Sequence, residues 1–525
     1  MPKVLISDEL SPAAVQIFKD RGVAVDFKPG MKADALLACI SEYDGLAVRS
    51  ATKVTKQVLA AAANLKVIGR AGIGVDNIDI DEATARGVVV MNTPFGNSIT
   101  TAEHAIALMF ALARDIPAAN ASTHAGKWEK NRFMGVELAA KTLGIIGCGN
   151  IGSIVADRAL ALKMKVVASD PYLTPERAKD IGVEKVELDE LFARADFITL
   201  HTPLTDATRN MIDAAAISRM KEGVRLINCA RGELVVETDM IEALKSGKVK
   251  GAAFDVFAAE PARESPYFGL ENVVCTPHLG AATTEAQENV ALQVAEQMSD
   301  FLMTGAVVNA LNMPSVSAED APKLRPYMKL AEELGGFAGQ LAGSGFDRVT
   351  IDYDGHVAEL NTRPLTAVVL KGLLAPLMDS VNMVNAPVIA RDRDIDVTEA
   401  THERASDYQT LIRVTVETKA GPRSVSGTLF GGNRPRVVEV NTIPMEAELG
   451  RHMLYVTNKD KPGFIGNLGR ALGEAGINIA TFGLGRVKAG GDAVALINVD
   501  EPVDESVLEK VRRLPDVVQA EVMHF

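Results

Sequence analysis

A glycine-rich turn constrains the fold of this chain more than any other feature of its sequence. Residues 142–146 (TLGII) predict a short buried strand, and residues 151–162 have the apolar spacing of a helix. The turn between them reads Gly147-Cys148-Gly149-Asn150-Ile151-Gly152. Glycines at a strand-to-helix turn let the backbone approach a pyrophosphate closely, and the helix N-terminus receives the negative charge. The pattern therefore predicts a doubly wound α/β domain that binds a dinucleotide.

An acidic residue follows the next predicted strand, at the position that selects between dinucleotides. The strand spans residues 165–169, and Asp170 comes directly after it, with no Arg or Lys in the next three positions. A carboxylate there accepts hydrogen bonds from the adenosine ribose and repels the extra phosphate of NADP. The sequence thus favours NAD, and a chance loop with a solvated Asp170 is the alternative.

Three residues farther along the chain have the side chains that oxidation of a 2-hydroxy acid requires. The reaction needs a hydride acceptor, a base for the hydroxyl proton and a cation for the carboxylate. Arg231 follows an apolar strand, residues 224–227, and its planar guanidinium can bind a carboxylate in two places. His278 follows strand-like residues 272–275 and is a suitable base, and Glu260 can raise the pKa of His278 by pairing with its charged form. Each of the three also has an ordinary alternative as a salt-bridge partner, a solvated acid or a structural histidine.

Composition argues against several other classes of protein. The 525 residues carry a net charge of −13, which disfavours a nucleic-acid surface. The four cysteines form no CxxC pair, so we expect a reducing compartment and neither disulfides nor a metal site. The chain begins with a predicted strand rather than a signal peptide, and its most apolar run, residues 105–113, is too short to cross a bilayer. We therefore expect a cytoplasmic protein without nucleic-acid or membrane partners.

Seven stretches of the sequence resemble the D-isomer-specific 2-hydroxyacid dehydrogenases, and most closely the members that act on phosphoglycerate. They read VRSATKV, GRAGIGVDNID, NTPFGN, GCGNIG, INCARGE, FDVFAAEP and TPHLGA. The resemblance implies oxidation of 3-phospho-D-glycerate to 3-phosphohydroxypyruvate with NAD, the first step of phosphorylated L-serine synthesis. It also implies that Arg231, Glu260 and His278 are the catalytic residues, with His278 as the acid and base.

The resemblance further implies which residues bind the cofactor and the substrate. Those expected to bind NAD are Ile73, Gly147, Gly149, Asn150, Ile151, Gly152, Asp170, Thr202, Cys229, Ala230, Asp255 and Gly280. Those expected to contact the substrate are Arg49, Ser50, Arg70, Gly72, Gly74 and Asn97. Two cations, a hydroxyl and turn N–H groups suit a phosphoryl dianion, so phosphoglycerate is favoured over glycerate. The alternative is that Arg49 and Arg70 are ordinary surface cations.

The predicted fold class is α/β, with two Rossmann-like doubly wound domains that enclose the active site in a cleft. The substrate-binding domain is expected to be discontinuous, residues 1–97 plus 283–312, around an NAD-binding domain at 98–282. A linker at 312–322, which includes Ser317, leads into an α+β intervening domain, residues 314–450. The resemblance implies that this domain binds an allosteric ligand, which the sequence does not identify.

Residues 451–525 have the βαββαβ pattern of a ferredoxin-like domain. The stretches DKPG and GINI resemble the ACT domain, which binds amino acids between paired copies. The resemblance implies that Asp460 and Asn478 contact an effector, that L-serine is this effector, and that the chain forms a homo-oligomer, a dimer or tetramer. A purely structural ACT domain is the alternative, since Asn458 stands where relatives commonly have another side chain.

Two other functions stay open on the sequence alone. A reductase of hydroxypyruvate or another small 2-keto acid would be insensitive to removal of the substrate phosphate. An NAD-sensing transcriptional corepressor on the same fold would bind peptides and would not need His278. The ACT-like segment counts against the corepressor.

Overall fold

The computed structural model describes residues 1–316, 319–343, 345–378, 380–403, 407–419 and 421–525. Ser317 of the predicted linker lies outside these residues. Within them the chain forms four β-sheets, two of them entirely parallel. The predicted fold class is confirmed, while the domain limits stay predictions. No helix in the described ranges is long and apolar enough to span a membrane.

The first sheet is parallel, with its strands in the order β2-β1-β3-β4-β5. The strands are β1 (Lys3–Ile6), β2 (Ala24–Phe27), β3 (Gly45–Val48), β4 (Val67–Arg70) and β5 (Val89–Met91). The helices between them are α1 (Pro12–Asp20), α2 (Ala33–Cys39), α3 (Lys56–Ala61) and α4 (Ile80–Ala85). The central strands are almost completely buried, as a parallel sheet covered on both faces requires.

The second sheet is also parallel, in the order β12-β11-β10-β9-β6-β7-β8. Its strands are β6 (Thr142–Ile146), β7 (Lys165–Ser169), β8 (Glu184–Lys185), β9 (Phe197–Leu200), β10 (Val224–Asn228), β11 (Val249–Phe254) and β12 (Val273–Cys275). Its helices are α5 (Ser98–Arg114), α6 (Ile116–His124), α7 (Asn150–Ala161), α8 (Pro175–Ile181), α9 (Leu188–Arg194), α10 (Ala214–Arg219) and α11 (Glu237–Ser246). The order reverses between β6 and β9, which is where doubly wound sheets bind ligands.

A long helix, α12 (Thr284–Thr304), returns from the second sheet to the first. Its buried side chains include Val294 and Met298, which pack against Gly69 of β4. A side chain at Gly69 would overlap both, so the glycine lets this helix lie close to the strand. The first sheet, its helices and α12 form the first lobe, which is thus built from two separate parts of the chain. The second sheet and its helices form the second lobe.

The third sheet is mixed, in the order β14-β13-β15-β16-β17-β18. Its strands are β13 (Phe346–Gly355), β14 (Asp396–His402), β15 (Thr410–Thr418), β16 (Gly421–Phe430), β17 (Arg434–Val440) and β18 (Ile443–Ala447). Its helices are α13 (Ala321–Ala342), α14 (Arg363–Leu374) and α15 (Ala386–Asp392). The sequence indicated only the strands at residues 411–417 and 437–441.

The fourth sheet is antiparallel, in the order β20-β21-β19-β22, and has the predicted βαββαβ connectivity. Its strands are β19 (His452–Lys459), β20 (Ile479–Arg486), β21 (Asp492–Val499) and β22 (Val517–His524), with helices α16 (Phe464–Glu474) and α17 (Glu505–Arg512). One face packs on α13, where the ring of Phe337 contacts Tyr455 edge-on and stacks on Phe525. The third and fourth sheets therefore share one hydrophobic core.

Glycine lets helices α13 and α14 pack with their backbones close together. A β-carbon at Gly335 would overlap the carbonyl oxygen of Val369. At the neighbouring Gly336, the nearest atom to a β-carbon would belong to Phe525, at 3.8 Å. Adjacent glycines in one helix thus differ in the space around them.

We expect Gly335→Ala to lower the free energy of unfolding by about 1–3 kcal/mol, because the added methyl group forces the two helix backbones apart. Gly336→Ala is the matched control. Alanine fits at that position and improves helix propensity by about 0.5–1 kcal/mol. Thermal unfolding followed by circular dichroism compares the variants, and equal melting temperatures would contradict the expectation.

Candidate active site

The two parallel sheets face each other across a cleft, with loops from the carboxyl ends of their strands in contact. Arg231, after β10, forms an ion pair with Asp76, in the loop after β4. Its Nε and Nη2 atoms lie 2.9 and 2.8 Å from Oδ2 of Asp76. The amide of Asn150 reaches the carbonyl oxygen of Pro94 at 3.5 Å. The structure thus brings residues from both lobes together at the site the sequence predicts.

His278 and Glu260 form a hydrogen-bonded pair, with 2.6 Å between Nδ1 and Oε2. The hydrogen bond to Glu260 raises the pKa of His278, and burial opposes it only in part. For Glu260, burial acts to raise the pKa, but hydrogen bonds from His278 and from the N–H of Phe257 lower it overall. An ionised Glu260 favours the proton on Nδ1 and leaves Nε2 able to accept one. The pair has the geometry of a general base and its orienting acid.

The backbone of His278 is held in a left-handed conformation by Asp255. Its φ is 54°, a conformation that costs a non-glycine residue about 1–3 kcal/mol. The N–H of His278 donates to the carbonyl of Asp255 at 2.9 Å. The Asp255 carboxylate is fully buried and accepts hydrogen bonds from the N–H groups of Leu279 and Gly280 and from the hydroxyl of Thr276. Asp255 therefore fixes the turn that carries His278, and its contact with NAD stays a prediction.

Two side chains of α5 support the same turn, and sequence reasoning missed both. Nε2 of His104 lies 3.2 Å from Oδ1 of Asp255 and 3.2 Å from Oγ1 of Thr276. The hydroxyl of Thr101 donates to the carbonyl of Gly280 at 2.8 Å. Their three-residue spacing places Thr101 and His104 on one face of the helix. This spacing is the signal that the sequence offered for Thr101 and His104, and it does not show which residues they contact.

The Asp255 carboxylate also lies beside a thiol. The ligand atoms of His104, Cys229 and Asp255 lie within 4.8 Å of one another. Burial raises the pKa of Cys229, so its thiol is protonated, and the Asp255 carboxylate is already hydrogen-bonded. Both oxygens of the Asp255 carboxylate already accept hydrogen bonds from the turn that carries His278, so the carboxylate supports this turn rather than facing an ion.

The predicted cofactor loop has the geometry that a pyrophosphate requires. Gly147 has φ of 89°, and a β-carbon there would overlap the carbonyl group of His201, which precedes Thr202. A β-carbon at Gly152 would overlap the carbonyl oxygen of Gly147, whereas one at Gly149 would have no atom within 4 Å. The helix α7 begins at Asn150, and no side chain caps its first N–H groups. Open space before unpaired N–H donors fits a phosphate group.

The predicted ribose acid also organises this loop. Asp170 accepts hydrogen bonds from the N–H of Cys148 at 2.7 Å and from that of Tyr172 at 2.8 Å. It thereby ties the glycine turn after β6 to the turn after β7. Its contact with the ribose stays a prediction.

A buried amide orients the turn that carries Arg231. Asn228 accepts a hydrogen bond from the N–H of Ala230 at 3.0 Å and donates one to the carbonyl of Arg231 at 2.8 Å. Its side chain is completely buried. The sequence placed Arg231 at the end of a strand and did not identify Asn228 as its support.

Positive charge is concentrated where the substrate is predicted to bind. The pKa of Arg70 is lowered to about 10, by burial first and then by the charges of Arg231 and Arg49. In the described structure, Nε of Arg70 and Oδ1 of Asn97 are buried without a hydrogen-bond partner. Clustered cations, one of which has a buried N–H donor without a partner among the described residues, fit an anionic ligand.

Two glycines make room for these cations. A β-carbon at Gly72, which has φ of 143°, would overlap the guanidinium of Arg70. One at Gly74 would overlap that of Arg231. Between them, the carbonyl of Ile73 accepts a hydrogen bond from Asn92 at 2.7 Å. The loop at residues 72–74 therefore lies directly against both guanidinium groups.

The predicted phosphate loop, Arg49 and Ser50, is held by two residues that the sequence did not single out. The carboxylate of Asp8 accepts hydrogen bonds from the N–H of Arg49 at 2.6 Å and from the hydroxyl of Thr52 at 2.6 Å. Asn77 donates to the carbonyl of Arg49 at 2.7 Å. Asp8 does follow the first predicted strand, which is where ligand-binding loops of such sheets begin.

The two predicted effector residues lie far apart within one chain. Asp460 pairs with Arg486 at one end of β20 and accepts a hydrogen bond from the N–H of Gly490. Asn478 precedes the other end of β20 and donates to Asp500 at 2.7 Å. The strand between them is on the order of 20 Å long. A single copy therefore does not bring Asp460 and Asn478 to one ligand.

Comparison with known families agrees with this organisation. Residues 106–280 match the D-isomer specific 2-hydroxyacid dehydrogenase, NAD binding domain. Residues 323–441 match the D-3-phosphoglycerate dehydrogenase intervening domain, and residues 452–516 match the ACT domain.

Individual proteins are similar over the whole length of the chain. It is 43% identical over 522 residues to D-3-phosphoglycerate dehydrogenase of Synechocystis sp., which covers 99% of this chain and 94% of the relative. It is 42% identical over 527 residues to the enzyme of the same name from Methanocaldococcus jannaschii, with 100% of both chains covered. Among solved structures, the TT0316 protein from Thermus thermophilus is similar with a TM-score of 0.54 and 33% identity, over 59% of this chain and 99% of that chain.

We expect Glu260→Gln to shift the pH profile of NAD-linked oxidation of a 2-hydroxy acid toward lower pH. Glu260 raises the pKa of His278, and oxidation requires neutral His278, so loss of the carboxylate lets the base act at lower pH. The acid limb of kcat/KM, which reports the pKa of the base in the free enzyme, should therefore lie at lower pH than in the wild type. Glu264→Gln, an exposed acid nearby, is the control. An unchanged acid limb in Glu260→Gln would show that the pair does not set the pKa.

Proposed function

The chain belongs to the D-3-phosphoglycerate dehydrogenases, and on this basis we propose that it oxidises 3-phospho-D-glycerate to 3-phosphohydroxypyruvate with NAD. This reaction is the first step of phosphorylated L-serine synthesis. The observation that carries the proposal is the cluster of three guanidinium groups beside the His278–Glu260 pair. A cytoplasmic location stays a prediction.

The two charged ends of the substrate have separate partners in this arrangement. Arg231 lies nearest the catalytic pair and binds the carboxylate beside the reacting carbon. Arg49, Arg70 and Ser50 bind the phosphoryl group at the other end, where the charge of the guanidinium groups offsets its own. The NH2 group of the Asn97 amide is proposed to donate a further hydrogen bond to the phosphoryl group. The phosphate thus contributes both affinity and orientation.

The protein's role in the chemistry is proton transfer through Nε2 of His278. When bound, NAD would supply the acceptor for the hydride from carbon 2 of the substrate. Nε2 of His278 accepts the hydroxyl proton as the carbonyl bond forms, and Glu260 stabilises the resulting imidazolium. In the reverse reaction the same nitrogen returns the proton. The residues proposed to hold NAD are Ile73, Gly147, Gly149, Asn150, Ile151, Gly152, Asp170, Thr202, Cys229, Ala230, Asp255 and Gly280.

Two features of the molecule support self-association. Asp460 and Asn478 can share an effector only if they come from different copies of the chain. In addition, Trp128 and Met134 are largely exposed apolar side chains that a second copy of the chain would cover in an assembly. We therefore propose a homo-oligomer, and a monomer mass in multi-angle light scattering would contradict it.

The substrate assignment is tested by rates of NADH formation with 3-phospho-D-glycerate and D-glycerate. We expect Arg49→Ala to lower kcat/KM for the phosphorylated acid by roughly 30-fold or more, since charge-assisted hydrogen bonds contribute about 2–3 kcal/mol. The rate on D-glycerate should change little, and His278→Ala should abolish both. Arg86→Ala, which removes a cation paired with Glu82, is the control. Equal wild-type rates on both acids would favour a reductase of small 2-keto acids instead.

The effector assignment is tested by L-serine inhibition. We expect L-serine to slow the wild-type enzyme, and Asp460→Asn to raise the half-inhibitory concentration about tenfold, because the substitution removes the carboxylate that would bind the amino group. Asp492→Asn is the matched control, since that acid pairs with Lys459 in the same domain. An unresponsive wild type would eliminate L-serine, and equal responses of the two variants would eliminate Asp460.

A further inference from the structure

The carboxylate-binding edge of Arg231 already has a carboxylate on it. Both Nε and Nη2 of Arg231 contact the same oxygen of Asp76, at 2.9 and 2.8 Å. On the opposite side, Nη1 donates to the carbonyl of Ala230 at 2.6 Å. A guanidinium offers two parallel N–H groups along its Nε–Nη2 edge and along its Nη1–Nη2 edge, and in Arg231 the Nη1 atom already donates to Ala230. A substrate carboxylate that binds the Nε–Nη2 edge in two places must displace Asp76.

Asp76 is also a counter-charge for the whole cation cluster. The guanidinium groups of Arg49 and Arg231 each destabilise the charged form of Arg70, whereas Asp76 and Asp8 stabilise it. Asp8 is buried and committed to the backbone of the phosphate loop. The Asp76 side chain is 61% exposed and makes its ion pair from a surface loop. Of these two acids, Asp76 is the one that can move when an anion arrives.

The position of Asp76 along the chain links the two ends of the substrate site. Its neighbour Asn77 donates hydrogen bonds to the carbonyl of Arg49, in the phosphate loop, and to that of Thr52, just after this loop. The adjacent residues Asp76 and Asn77 of the first lobe therefore contact both the phosphate loop and, across the cleft, the guanidinium group of Arg231 in the second lobe. Asn77 anchors the loop, so the Asp76 side chain can leave Arg231 without unfolding it.

We propose that Asp76 is a positioning residue that occupies the carboxylate edge of Arg231 until the substrate carboxylate takes its place. The inference rests on the proposed function only in naming the substrate, because every 2-hydroxy acid has this carboxylate. Asp76 holds the guanidinium in the cleft and acts as an internal competitor of the substrate. Its effect is to weaken substrate binding.

The test is the separate measurement of KM and kcat for 3-phospho-D-glycerate at saturating NAD in Asp76→Asn. Asparagine keeps the shape and removes the competing charge, so KM should fall about fivefold, while kcat stays within about twofold of wild type. A fivefold change in KM equals about 1 kcal/mol of binding free energy, which is the upper end of what an exposed ion pair contributes. Loss of a merely structural contact would instead raise KM and lower kcat.

Two variants separate competition from other effects of the lost charge. Asp81→Asn removes an exposed acid a few residues away, at the start of α4, and should leave KM near the wild-type value. Asp76→Glu retains the carboxylate and should keep KM within about twofold of wild type. A higher KM in Asp76→Asn, or an equal fall in KM in Asp81→Asn, would overturn the proposal. If the wild type prefers an unphosphorylated acid, the proposed function fails, and the same measurement with that acid still decides the role of Asp76.

Discussion

The buried carboxylate of Asp255 is the interaction on which the rest of the active site depends. It accepts hydrogen bonds from Thr276, Leu279 and Gly280, and its own carbonyl receives the N–H of His278. Burial acts to raise the pKa of Asp255, but hydrogen bonds from His104, Thr276 and the N–H of Leu279 lower it overall, so the group stays ionised. An ionised group without solvent is stable only while its partners remain in place. The same contacts that stabilise Asp255 therefore hold His278 in its strained conformation beside Glu260.

The substrate side of the cleft repeats this principle with different residues. Asp8 and Asn77 hold the loop of Arg49, and Asn228 holds the turn of Arg231. In each case a buried or partly buried polar side chain fixes a loop through its backbone. The guanidinium groups of Arg49 and Arg70 donate to main-chain carbonyls, those of Glu9 and Ala71. The guanidinium of Arg231 is bound instead by the carboxylate of Asp76, which distinguishes this competing acid from the supporting ones.

Much of the fold was predictable because its signals are local. The glycine turn at Gly147 lies between strand β6 and helix α7, and such a strand-turn-helix pattern has few structural solutions. The βαββαβ order of the last domain was predictable for the same reason, and the structure confirms it. The third sheet was predicted poorly, since sequence reasoning identified only two of its six strands and missed the alternation of Val349, Ile351 and Tyr353 in β13. Strands such as β14, with mostly exposed or half-exposed side chains, have no such signal.

The sequence by itself determined which residues are available for chemistry and at which strand ends they lie. Arg231, Glu260 and His278 could be identified because each follows a recognisable strand or motif. The tertiary structure decided their partners: Asp76 is 155 positions from Arg231, and Asp255 lies beside His104 of a distant helix. It also decided that Asp460 and Asn478 are at opposite ends of one strand. Such pairings depend on how lobes and helices pack, and no periodicity along the chain encodes the distance between two separate elements.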